Sequence, residues 1–154
     1  MTSPRLLSSA IVVDANILIS AVLGSATGAH LERIAGERSL ITSEAAFEEA
    51  SRVVGHIRPQ DLPVLAVLLD LVAIVATEDV VTTDLEDAQT TLRNAVASKN
   101  GSTNDAHLLA LAWTVDADLW SHDRDFAGTG WPSWSSANLL AFLAGEAAPS
   151  VPLA

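Results

Sequence analysis

Several residue types are absent or scarce in this chain of 154 residues. It has no cysteine, which excludes disulfides, thiolate metal ligands and a cysteine nucleophile. Lysine occurs once, at Lys99, and arginine seven times, against 19 acidic residues, so the formal net charge is −11. This balance opposes non-specific binding to nucleic acid and counts against a simple DNA- or RNA-binding module. A nuclease that uses divalent cations is less affected, because the bound ions reverse the local charge.

Long apolar runs are also missing. No stretch of 18 apolar residues exists, and the short apolar run near the N-terminus ends at Asp14, which predicts neither a membrane span nor a secretory signal. Hydrophobic residues still make up 49% of the chain, enough to exclude a disordered protein. We therefore expect one cytoplasmic domain spanning residues 1–154, with no membrane association.

Short apolar strands alternate with helical segments along the chain. The predicted strands are residues 10–14, 39–42, 72–76 and 117–122, separated by helices of roughly 10–15 residues and followed by a last helix that begins near Ser135 or Ser136. This order predicts an α/β fold, a three-layer α/β/α sandwich around a mainly parallel sheet of four or five strands. Whether the segment GTGWPSW forms a fifth strand is left open.

Acidic residues stand where several of these predicted elements begin or end. They are Asp14 in IVVDANIL, Glu48 and Glu49 in SEAAFEEASRVV, Asp105 in STNDAHLLALA, and Asp123 and Asp125 in LWSHDRDF. In open α/β sheets, ligands bind outside the carboxyl ends of the strands, so these side chains are expected to converge there. A pocket of carboxylates suits Mg²⁺ or Mn²⁺, ions that serve phosphoester chemistry.

Three segments, in this order, resemble the PIN-domain nucleases, which include the VapC-type toxins of toxin–antitoxin pairs. They are VVDANILIS, TSEAAFEEASRVV and NDAHLLALAWTVDADLWSHDRDF, within a core of about residues 10–145. The resemblance implies a PIN-like fold in which four acids bind the metal and carry catalysis, with a fifth acid as an additional ligand. Asn16 and Ser121 would orient carboxylates by hydrogen bonding. Carried over position by position, the four acids are Asp14, Glu49, Asp105 and Asp123, and the fifth is Asp125.

Glu49 is preferred over Glu48 because it directly precedes the apolar Ala50, as the acid of the family usually does. Neighbouring helix positions differ by about 100°, so the two side chains cannot both face the site.

Simpler structural interpretations exist for most of these residues. A single aspartate such as Asp14 is more often a helix cap than a ligand, and Asp116 and Asp118 are expected to be turn residues. Arg124 either contacts a substrate phosphate or pairs with a neighbouring aspartate. His122 is more simply a surface histidine, and the tryptophans of GTGWPSW more simply pack on the domain than stack on a base.

The function predicted on these grounds is a Mg²⁺- or Mn²⁺-dependent endoribonuclease, with RNA as substrate. The resemblance further implies the toxin of a pair, with a small antitoxin protein as partner, and a homodimer for which VLAVLL and LLDLV offer apolar surface. The alternative is a PIN-like binding or scaffold domain without catalysis. A haloacid-dehalogenase-like phosphatase is rejected because Asn16 stands where its second aspartate is needed.

Overall fold

A computed structural model describes residues 7–24, 26–76, 82–94, 103–122, 126, 129 and 131–147. Its described strands form one parallel sheet of five strands in the order β3-β2-β1-β4-β5. The strands are β1 Ala10–Val13, β2 Ser39–Ser43, β3 Val72–Val75, β4 Asp118–Trp120 and β5 Ser133–Trp134. The four predicted strands are therefore confirmed, and the segment left open supplies the fifth.

The helices connect these strands and cover both faces of the sheet. They are α1 Ala15–Val22, α2 Thr27–Ala35, α3 Glu44–Ile57, α4 Leu62–Val67, α5 Thr82–Asn94, α6 Thr103–Val115 and α7 Ser136–Ala147. Short 3₁₀ turns stand on either side of α4, at Pro59–Asp61 and Leu68–Asp70. The predicted three-layer α/β/α sandwich is thus confirmed.

Two apolar cores lie on the two faces of the sheet. Alternate residues of β1 divide between them, since Ile11 and Val13 face α1, α2, α4 and α7, whereas Val12 faces α5 and α6. Strands buried on both faces read as continuous apolar runs, which explains the sequence AIVV of β1. No helix in the described ranges is long and apolar enough to cross a membrane.

Local signals in the sequence set several helix boundaries. Ser43 caps α3 by accepting a hydrogen bond from the main-chain nitrogen of Ala46 at 3.0 Å. Helix α1 ends before Gly24, whose φ of +94° is the left-handed conformation in which glycine commonly terminates a helix. Helix α4 is short and ends at Val67, because the chain turns through Leu68–Asp70 before β3 begins.

Candidate functional site

Asp14 lies at the point where β1 passes into α1. Its main-chain nitrogen donates to the carbonyl of Trp120 at 3.0 Å, continuing the pairing of β1 with β4. Its side chain caps α1, with Oδ1 accepting from the main-chain nitrogen of Asn16 at 3.4 Å. The capping interpretation of Asp14 is therefore correct. The carboxylate is also only 3% exposed, at the carboxyl edge of the sheet where ligands of such folds bind.

Two hydroxyl groups hold this end of β1. Ser121, the residue after β4, donates its hydroxyl to Oδ2 of Asp14 at 2.5 Å, a short bond typical of a charged acceptor. Thr42 in β2 donates to the carbonyl of Val13 at 2.7 Å. Asn16, which is exposed, donates its main-chain N–H to the other carboxylate oxygen of Asp14. Neighbours on both sides of β1 therefore fix the position of Asp14.

Three alanines near candidate acids in the sequence belong to one apolar core. Ala15, Ala46 and Ala106 are all buried in the core on the α5–α6 face of the sheet. Ala15 follows Asp14, Ala106 follows Asp105, and Ala46 lies one helical turn before Glu49. Helices α1, α3 and α6 therefore contribute small side chains to one core, on the face of the sheet covered by α5 and α6.

The direction of α6 places Asp105 at the carboxyl edge. Helix α6 ends at Val115, and β4 begins three residues later at Asp118, at the amino edge of the sheet. The helix therefore runs opposite to the strands, and its first turn, which contains Asp105, lies toward the edge where Asp14 and Ser121 stand. Asp105 is 8% exposed.

Glu48 and Glu49 differ in burial, although they are neighbours on α3. Glu48 is exposed, whereas Glu49 is half-buried. This difference favours Glu49 as the residue that faces inward, in agreement with the preference drawn from the sequence. Its role as a ligand stays a prediction.

The remaining predicted residues of the site, Asp123, Arg124 and Asp125, lie outside the described residues. Within the described part of the chain, no three His, Cys, Asp or Glu side chains form a group able to hold a metal ion. The donors that are present are carboxylate and hydroxyl oxygens, which suit Mg²⁺ or Mn²⁺ rather than softer metals. Buried carboxylates are paired or bind cations, so the burial of Asp14 and Asp105 fits such an ion.

Asp118 has a different position from the one expected. It is the first residue of β4 and fully buried, not a turn residue, and its Oδ2 accepts from Nε1 of Trp134 at 2.9 Å. Strand pairing with β1 overrides the turn tendency of aspartate here. Asp116 does occupy the turn before β4, with a φ of 54°. The predicted strand over residues 117–122 already included Asp118 and left Asp116 outside it.

The tryptophans of GTGWPSW pack on the domain. Nε1 of Trp131 donates to the carbonyl of Ala117 at 2.8 Å, and the ring of Trp134 meets that of Phe142 edge-on with centroids 5.5 Å apart. Both side chains are half-buried against the two cores. The packing interpretation is therefore confirmed: Trp131 attaches the segment before β5 to the residue before β4, and Trp134 attaches β5 to α7.

Comparison with known proteins identifies the family. The model of the PIN domain matches residues 12–144. Similar solved folds include VapBC2 of Rickettsia felis bound to a promoter DNA fragment (TM-score 0.66, 17% identity, covering 82% of this chain and 98% of that one). VapC20 of Mycobacterium tuberculosis, a toxin that cleaves the sarcin-ricin loop, has a TM-score of 0.60 and 18% identity, with coverage of 79% and 95%.

A toxin–antitoxin complex from Klebsiella pneumoniae shares the fold at a TM-score of 0.60 and 22% identity, covering 82% of this chain and 97% of that chain. No protein of curated function matches the sequence. The match to the family model extends over most of the chain and includes every candidate site residue, from Asp14 to Asp125. The resemblance seen in the sequence is confirmed, and the chain belongs to the PIN-domain family.

Proposed function

We propose that this protein is a divalent-metal-dependent endoribonuclease and the toxin of a toxin–antitoxin pair. The observation that carries the proposal is the buried Asp14 carboxylate, held by Ser121 at the carboxyl edge of a PIN fold, with Asp105, also buried, in the first turn of α6. The solved proteins of this fold include a toxin that cleaves the sarcin-ricin loop, which supports RNA as the substrate.

Asp14, Glu49, Asp105 and Asp123 would hold Mg²⁺ or Mn²⁺, with Asp125 as a further ligand. When bound, such an ion lowers the pKa of a coordinated water and neutralises charge that develops on the phosphate. Ser121 and the main-chain N–H of Asn16 contact the two oxygens of Asp14 and so orient its carboxylate. Arg124 is proposed to contact a phosphate oxygen of the RNA.

The chemistry of the cut ends tests this proposal. Hydrolysis by water leaves a 5′-phosphate and a 3′-hydroxyl, whereas attack by the ribose hydroxyl leaves a 2′,3′-cyclic phosphate. We expect pooled cellular RNA treated with the protein in Mg²⁺ or Mn²⁺ to carry new 5′-phosphate ends, absent with EDTA or with Asp105→Asn. Cyclic phosphates alone would exclude the proposed mechanism.

The partner is proposed to be a small antitoxin encoded beside this gene. Several solved proteins of this fold are toxin–antitoxin complexes, including VapBC2 and the Klebsiella pair. The net charge of −11 would favour a partner segment rich in arginine near the acidic edge. Expression of this chain alone should slow bacterial growth, Asp14→Asn should not, and co-expression of the adjacent gene should restore growth. Unchanged growth on expression of the intact protein would count against the toxin role.

A homodimer is proposed through the outer face of α4. Leu65 and Leu68 face the core, whereas Val64, Val67 and Leu69 are 45%, 63% and 43% exposed. Such an exposed apolar surface is typical of association sites. Light scattering should therefore give twice the chain mass, and Val67→Asp should give a monomer. A monomer at all concentrations would remove this part of the proposal. The cytoplasmic location stays a prediction.

The alternative is a PIN-like scaffold without catalysis. It requires that the carboxylates at the carboxyl edge of the sheet hold no ion. Calorimetry with Mn²⁺ separates the two functions, because the nuclease requires Mn²⁺ binding that Asp14→Asn abolishes. Absence of Mn²⁺ binding to the unmodified protein would favour the scaffold.

A further inference from the structure

One hydroxyl group, that of Ser136 at the start of α7, joins two residues of the β4 segment. Nε1 of Trp120 lies 3.0 Å from Oγ of Ser136, and Nε2 of His122 lies 2.6 Å from the same oxygen. Ser136 is 7% exposed and Trp120 is fully buried. These contacts attach the end of β4 to a helix on one face of the sheet.

The residue between these two is Ser121, which contacts Asp14. Successive side chains of an extended segment point to opposite sides, so Trp120 and His122 reach α7 while Ser121 reaches β1. The main-chain nitrogen of Ser121 also donates to the carbonyl of Trp134 at 3.0 Å. The bonds of Trp120 before it and of His122 after it therefore fix the orientation of the Ser121 hydroxyl.

Apolar packing does not hold the His122 side chain in place, so its contact with Ser136 matters more than that of Trp120. Trp120 is held by the core around it, whereas the His122 residue is exposed. An indole nitrogen only donates, so Ser136 accepts from Trp120, and the direction of its bond with His122 follows the tautomer of the ring. The chain of bonds then runs from Trp120 through Ser136 to His122.

We infer that Ser136 is a positioning residue of the site: through Trp120 and His122 it holds Ser121 in the orientation that fixes the Asp14 carboxylate. This inference rests on the proposed function, in which Asp14 binds the metal. Residues that orient a metal ligand affect metal affinity about tenfold or more when removed.

The test is calorimetry of the full-length protein with Mn²⁺ alone. Ser136→Ala should weaken Mn²⁺ binding about tenfold. Ser136→Thr, which keeps the hydroxyl, should recover most of the affinity. Ser135→Ala is the matched control, because the Ser135 hydroxyl accepts from the main-chain nitrogen of Asn138 in the same turn of α7. The control should lower the unfolding temperature but leave Mn²⁺ binding unchanged.

A second variant reaches the same contact without altering α7. His122→Ala should weaken Mn²⁺ binding as much as Ser136→Ala does. The double variant His122→Ala with Ser136→Ala should bind Mn²⁺ no more weakly than either single variant. If the Ser121→Ala and Ser136→Ala losses add in a double variant, the two residues act separately and the inference is wrong.

Failure of the inference can be told from failure of the proposed function. If Asp14→Asn abolishes Mn²⁺ binding while Ser136→Ala and His122→Ala bind as the unmodified protein does, only the positioning role is overturned. If the unmodified protein does not bind Mn²⁺, both are overturned.

Discussion

Two buried aspartates occupy opposite ends of the β1–β4 pair, and both contact a serine. At the carboxyl edge, Asp14 accepts from the hydroxyl of Ser121 at 2.5 Å. At the amino edge, Asp118 accepts from the main-chain nitrogen of Ser8 at 3.5 Å, and its own main-chain nitrogen donates to the hydroxyl of Ser8 at 2.8 Å. The two aspartates are 3% and 0% exposed, so burial alone does not distinguish them.

Their surroundings do distinguish them. Asp118 also accepts from the indole of Trp134, so its carboxylate joins β4 to β5 and to the segment before β1. Asp14 instead follows β1 and caps α1, at the carboxyl edge of the sheet. The comparison teaches that equal burial can accompany different positions: Asp118 joins segments at the amino edge, whereas Asp14 stands at the carboxyl edge, where ligands of open α/β sheets bind and where we propose the site.

The largest expected effect is that of Asp14→Asn. It should weaken Mn²⁺ binding and RNA cleavage by on the order of 100-fold or more, because it removes a charge that the reaction requires. The unfolding temperature should change little, because asparagine also caps helices. Calorimetry measures the Mn²⁺ affinity, and thermal unfolding measures the unfolding temperature. If Asp14→Asn lowers the unfolding temperature but leaves the Mn²⁺ affinity unchanged, the roles of the two aspartates are reversed.

Asp118→Ala should have the opposite pattern. It removes the acceptor for Trp134 and Ser8, and donors left unpaired in a buried site cost about 2 kcal/mol of unfolding free energy. Urea unfolding measures the loss, and Mn²⁺ affinity of the folded variant should equal that of the unmodified protein. Equal unfolding free energies of Asp118→Ala and the unmodified protein would show that Asp118 is not a structural support.

The two serines give the smallest effects. Ser121→Ala should weaken Mn²⁺ binding about tenfold, because the hydroxyl orients Asp14. Ser8→Ala should leave Mn²⁺ binding unchanged and lower the unfolding free energy by about 1 kcal/mol through loss of its bond to Asp118. Calorimetry and urea unfolding of both variants separate the two effects. Identical behaviour of the two variants would remove the distinction between the edges.

Much of the fold was predictable because its signals are local. The apolar runs before Asp14 and after Ser39 gave strands, and Ser43 and Gly24 marked helix boundaries. The order of strands and helices then predicted the layers. The same logic predicted that Asp14 and Asp105 stand toward one edge of the sheet.

Other features depend on tertiary contacts and left no signal in the sequence. Strand β5 has two residues, and its pairing with Leu119 and Trp120 defines it rather than any alternation of its own. The predicted strand over residues 117–122 included Asp118, but the bond of its carboxylate to the indole of Trp134 depends on the pairing of β4 with β5. Ser136 is one of several serines near a helix start, and only the fold brings it to His122.

The most direct test compares the two aspartates in one cleavage assay. Pooled cellular RNA is incubated with the unmodified protein, with Asp14→Asn and with Asp118→Asn, each in Mn²⁺ and in EDTA, at a temperature where all are folded. We predict Mn²⁺-dependent cuts at the same sites for the unmodified protein and Asp118→Asn, and none for Asp14→Asn. Cleavage that survives in Asp14→Asn would contradict the assignment of the site to the carboxyl edge.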